Sequence, residues 1–135
     1  MKKTLALCIV VGWAGCDLPP VSCTEIGCVN GLSIEVATAE TGDRDIDVTV
    51  EVGGETFDCA GTFDAVDGLS CGEVFVEPTA DGFAIRVPTD ADPPTAHLIV
   101  GDYETEVALD WETSFPNGEG CPPECRQGSG AATVP

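Results

Sequence analysis

Tyr103-Glu104-Thr105-Glu106-Val107-Ala108-Leu109-Asp110-Trp111-Glu112 is the stretch whose reading decides the fold. Successive side chains of an extended chain point to opposite sides, so Tyr103, Thr105, Val107, Leu109 and Trp111 share one face. Glu104, Glu106, Asp110 and Glu112 share the other with Ala108. One face seeks a core and the other seeks water. The same period of two runs through residues 32–36 and 45–52. Gly53-Gly54 then separates Val52 from the run 55–59, and two glycines between alternating runs predict a hairpin, because both turn positions take positive φ. Residues 71–77 and 83–87 form another pair, joined through Pro78 and Asp81-Gly82, and residues 97–100 and 103–111 form a third across Gly101-Asp102. Pro88 and Pro93-Pro94 delimit the crossing between them. Seven short strands, with turn residues between them and no helical stripe, predict an all-β fold: an antiparallel β-sandwich of immunoglobulin-like size. Phe75 interrupts the alternation between Val74 and Val76, which predicts a strand covered on both faces or a small exposed apolar spot. Residues 127–135 carry no periodicity and are expected to be a disordered tail.

The beginning of the chain has a different logic. Lys2 and Lys3 precede an apolar run at residues 4–14, and Ala14-Gly15 supplies small residues before a cut, so residues 1–15 are expected to be an export signal. The run is too short to cross a bilayer as a helix. Trp13-Ala14-Gly15-Cys16 resembles the lipobox of bacterial lipoproteins, with Trp13 where leucine is usual. That resemblance implies a Cys16 lipidated through its sulfur and exposed as the first mature residue. Several acyl chains give stable anchoring, since each buried methylene contributes about 0.8 kcal/mol. Residues 16–22, with Pro19-Pro20, are then a short stiff tether ahead of a sandwich domain at 23–126.

The whole chain carries 24 acidic and 5 basic residues, a net charge of −19. From Cys16 onward no lysine remains, and Arg44, Arg86 and Arg126 face 24 carboxylates, a net of −21. Such a surface repels nucleic acid and anionic headgroups, which leaves the lipid as its attraction to the membrane.

Of the eight cysteines, Cys8 leaves with the signal and Cys16 takes the lipid. Cys23, Cys28, Cys59, Cys71, Cys121 and Cys125 remain, an even number in an oxidising compartment, and three disulfides are the expectation. Cys59 and Cys71 close a local loop. Cys23 and Cys28 stand at the start of the body and Cys121 and Cys125 at its end, so two further bridges tie the termini in one of two pairings. The spacings of these two pairs differ from the C-x2-C usual in zinc sites, and exported thiols are normally oxidised, so no metal is expected there. This framework, with residues 23–28 early and 116–127 late, is similar to a group of small bacterial envelope lipoproteins. The resemblance implies an envelope location and a disulfide-pinned fold, and carries no activity.

Chemistry is sparse. His97 is the lone histidine, no G-x-S-x-G elbow is present and the body has no lysine, so no catalytic residue is assigned. Asp43, Asp45 and Asp47 have the spacing that opens a calcium loop, but Val48 stands where that loop needs glycine and Ile46 and Val48 belong to a strand. Asp64, Asp67, Asp90 and Asp92 are the remaining loop carboxylates considered for calcium. Arg86 should project opposite Phe83, Ile85 and Val87 and pair with Glu73 or Glu77. The sequence therefore predicts a non-enzymatic, lipid-anchored module of the bacterial cell envelope, facing periplasm or exterior, without cofactor. Its expected partners are the membrane, through the N-terminal lipid, and an envelope protein or glycan, with no nucleic acid. A calcium- or glycan-binding domain using acidic inter-strand loops is the alternative.

Overall fold

The alternating runs become strands in the computed structural model, which describes residues 30–135. Ten strands form in chain order: β1 (Gly31–Ala37), β2 (Arg44–Val52), β3 (Glu55–Phe63), β4 (Leu69–Cys71), β5 (Val74–Thr79), β6 (Gly82–Pro88), β7 (Thr95–Val100), β8 (Tyr103–Ala108), β9 (Asp110–Ser114) and β10 (Cys125–Thr133). They belong to one compact unit, residues 28–114 and 125–135, while residues 115–124 fall in another. Within 115–124, Gly118 donates to the Phe115 carbonyl, Cys121 to the Gly118 carbonyl, and the Asn117 side chain to the Pro122 carbonyl.

The strands divide into a six-stranded sheet ordered β4-β5-β6-β1-β10-β9 and a four-stranded sheet ordered β3-β2-β7-β8. Their facing sides make one core. Leu32, Ile34 and Val36 of β1 and Phe83, Ile85 and Val87 of β6 meet Val48, Val50 and Val52 of β2 and Leu98 of β7, all buried. Gly53 and Gly54 turn β2 into β3 at φ of 58° and 82°, the positive values that such a two-residue hairpin takes. At one end, Phe63 and Phe83 pack with ring centroids 6.0 Å apart, and the Arg44 guanidinium lies over them at 5.0 and 5.8 Å. Arg44 points inward on β2 and closes this end of the core with a cation on aromatic faces.

A two-sheet sandwich is present as expected, with ten strands among the described residues instead of seven, and with β1 and β10 parallel where an antiparallel fold was expected. Three features account for the difference. Residues 71–77 are not one strand: the turn at Gly72-Glu73 splits β4 from β5, with Gly72 at φ 63°. The decisive run is also divided, at Leu109, because β8 ends in the four-stranded sheet and β9 begins in the six-stranded one. Leu109 donates its N–H to the Pro94 carbonyl instead of to a ladder. Its side chain stays in the core, so the alternation runs through the corner unbroken.

The third feature is β10, which overturns the expected disordered tail at 127–135. β10 runs parallel to β1 and antiparallel to β9, in the interior of the six-stranded sheet. Its small residues are space for its neighbours. A Cβ on Gly128 would lie 2.8 Å from the Trp111 ring, and one on Gly130 would lie 2.6 Å from Val107 and 2.9 Å from Leu109. Large side chains from β8, the corner and β9 fill what β10 leaves open. The sandwich accordingly extends beyond residue 126, with Val134 buried and its N–H on the Ala37 carbonyl.

Cys59 on β3 and Cys71 on β4 form a disulfide with their Cα atoms 5.4 Å apart, and it joins the two sheets. Closing a loop of this length stabilises by about 3 kcal/mol in the chain-entropy account. Of the three bridges expected, this is the one with both halves among the described residues. Cys121 and Cys125 are disulfide-bonded as well, whereas Cys16, Cys23 and Cys28 lie outside the described residues. Replacing Gly130 with valine should lower the unfolding free energy by about 1–3 kcal/mol through overpacking against Val107 and Leu109, measured as a lower midpoint in urea.

Candidate functional site

Pairing register brings the unassigned polar residues together on the outer face of the four-stranded sheet. Asp45, Asp47 and Glu51 project outward from β2, Asp58 from β3, and Glu104 and Glu106 from β8. On β7 between them, His97 stands directly opposite Glu51 on one side and Glu106 on the other. Its Nε2 meets Glu104 Oε1 at 2.9 Å. Hydroxyls hold two of the acids, Thr49 donating to Asp58 at 2.8 Å and Thr62 to Asp45 at 3.0 Å. His97 is thus held by a carboxylate within the sheet face.

No arginine reaches this face. Arg44 pairs with Glu40 at 3.6 Å and Arg126 with Asp92 at 2.9 Å. Arg86, opposite Phe83, Ile85 and Val87 as predicted, pairs with Glu77 on the outer face of the other sheet. That second face carries Glu35 of β1, Glu77 of β5 and Asp110 and Glu112 of β9, set among Ser33, Ala84, Ser129 and Ala131. Phe75 belongs to it, opposite Arg86 and 36% exposed, which makes it the small exposed apolar spot. One outer face thus has six carboxylates and no arginine, the other four carboxylates and Arg86.

The loop acids considered for calcium are each engaged in holding the chain or stand apart. Asp43 Oδ1 accepts the Ala65 N–H at 2.8 Å, and Asp64 Oδ1 accepts those of Val66 at 2.7 Å and Asp67 at 2.9 Å. These bonds shape a turn closed by reciprocal bonds between Asp64 and Gly68, with Val66 at its tip 83% exposed. Asp90 accepts from the Asn30 side chain at 3.1 Å, and Asp92 is taken by Arg126. Among the described residues, no three His, Cys, Asp or Glu side chains gather in a way that holds a metal ion.

Sequence reasoning overlooked Asn30 and the structural ties made by the loop at 89–94. Asn30 Oδ1 accepts the Arg126 N–H at 2.8 Å, so one amide joins the start of β10 to Asp90. Trp111 Nε1 donates to the Pro93 carbonyl at 2.7 Å, and Thr89 donates to Glu55 at 2.9 Å. The arrangement buttresses one end of the sandwich. Pro88, Pro93-Pro94 and the acids Asp90 and Asp92 marked this loop in the sequence, but its partners are distant in the chain. No protein-family model, curated protein or solved structure matches the chain.

Backbone hydrogen bonds from Asp67 and then Val66 hold the Asp64 carboxyl below its usual value. A depressed carboxylate contributes stability that is fully present above the unfolded value and is lost as pH falls through the folded one. Acidification below the ordinary aspartate range should therefore open the turn late, with Val66 and Asp67 amides exchanging faster only once Asp64 itself titrates. A carboxyl-detected NMR titration checks this, with the Asp64 midpoint expected below that of an unstructured aspartate.

Proposed function

We propose that the chain is a non-enzymatic interaction or structural module of the bacterial cell envelope, anchored by lipid on Cys16 and pinned by three disulfides. The observation that carries this reading is the oxidised Cys59–Cys71 bridge between the two sheets, a bond compatible with a compartment outside the cytoplasm. The lipobox-like residues Trp13-Ala14-Gly15-Cys16, behind a basic start and a short apolar run, supply the address. Tying Cys23 and Cys28 to the already oxidised Cys121 and Cys125 completes the framework in one of two pairings.

The charge distribution suits a tethered domain. A body with three arginines against 24 carboxylates is held away from anionic headgroups, so a lipid on Cys16 and a stiff Pro19-Pro20 tether are needed to keep it at the surface. The sandwich then presents its acidic outer sheet face to the compartment. A protein partner fits this face better than a glycan, because the face carries carboxylates where sugar-stacking aromatics would be needed.

Two measurements test the reading. Cys16→Ser should move the protein from the membrane to the soluble fraction of the envelope, and unchanged retention would count against lipidation. Mass spectrometry of the mature protein without reduction should find six cysteines in disulfides; free thiols at Cys23 and Cys28 would reduce the framework to fewer bridges.

A further inference from the structure

β3 ends its sheet. All nine of its residues pair with β2 on one side, and on the other no strand follows among the described residues. The end nearest β4 is covered, since Leu69 approaches within 3.4 Å of where a Gly61 Cβ would stand and the Asp64–Gly68 bridge lies just beyond. Cys59 is tied to Cys71 of β4 with Cα atoms 5.4 Å apart, so residues 55–58 form the open part. Phe57 points toward the core there opposite Val50, yet it remains only half-buried. Long edges of this kind are usually blunted by lysine, proline or a very short strand. β3 has nine residues and neither lysine nor proline.

Charge decides what such an edge admits. A second copy of the chain brings 24 carboxylates and, beyond Lys2 and Lys3, only three arginines, so pairing edge to edge would set like charges against each other. A cationic segment meets the opposite situation. Asp58 stands on the outer face of the edge strand, and beside it the small Ala60 lies directly in front of Asp47 on β2. With strands about 4.8 Å apart, a lysine or arginine stem set opposite Asp58 on an added strand can reach diagonally over the Ala60 methyl and bring its charge toward Asp47.

We infer that the open edge of β3 takes up an extended, lysine- or arginine-bearing segment of a partner protein as an added strand. Main-chain bonds to residues 55–58 hold the segment, and Asp58 and Asp47 select its charge. The inference deepens the reading of this domain as an interaction module and rests on it.

The test uses the full oxidised chain, isotopically labelled, and as probe the peptide acetyl-Lys-Val-Lys-Thr-Lys-Val-Lys-Thr-amide. Binding should slow amide exchange in residues 55–58 and leave the Asp64 turn unaffected. Asp47→Asn combined with Asp58→Asn should weaken binding about five- to tenfold, as expected for two exposed charge pairs. Thr56→Lys, an exposed change on the same edge, should weaken it further with an unaltered thermal midpoint. Equal binding by a probe methylated on alternate backbone nitrogens would overturn the inference, because charge alone would then suffice. So would unaltered exchange in β3 at millimolar probe. Fractionation of the Cys16→Ser variant is independent of these outcomes, so failure of the edge and failure of the anchored module are read separately.

Discussion

A strand in a two-sheet sandwich can bury only one of its faces, and the two buried faces must stay together along both open sides of the stack. This chain meets that constraint differently on each side. Where β3 gives way to β4, the Cys59–Cys71 bond fastens one sheet to the other. Where β8 gives way to β9, the polypeptide itself crosses, with Leu109 left in the core and its N–H on Pro94. The core of valines, isoleucines and leucines can then exclude water between two short-stranded sheets.

The cost of this arrangement falls on the outer faces, which must carry the charge. Six carboxylates from β2, β3 and β8 share one face with a single histidine and no arginine, while the opposite face sets Glu35, Glu77, Asp110 and Glu112 among serines and alanines, with Arg86 paired to Glu77. Repulsion among exposed carboxylates is screened within about 8 Å at physiological salt, so the acidic face is tolerated. Like charge on both copies also disfavours edge-to-edge pairing of this chain with itself.

Much of the fold was legible from period alone. Residues 32–36, 45–52 and 83–87 are strands with the predicted faces inward, and Gly53-Gly54 turns as expected. What was illegible depends on distant neighbours. Gln127-Gly128-Ser129-Gly130-Ala131-Ala132 has the composition of a linker, and it is a strand because Trp111, Val107 and Leu109 occupy the room its glycines leave. The tie between Asn30, Asp90 and Arg126 joins residues up to 96 positions apart, a relation that no local pattern encodes. The acidic face was half legible: the alternation of Glu104 and Glu106 was clear, but their meeting with Asp47, Glu51 and His97 required the strand order.

By itself the sequence determined that the body is all β, that it is strongly acidic and without lysine, and that its cysteines suit an oxidising compartment, because period, charge and cysteine count are properties of the chain alone. Tertiary structure decided which sheet each strand joins, where the decisive run at 103–112 turns its corner, and which edge remains open. Those outcomes depend on side chains meeting across the core, and the same alternating pattern is compatible with either sheet until Leu109, Cys59 and the β10 glycines find their partners.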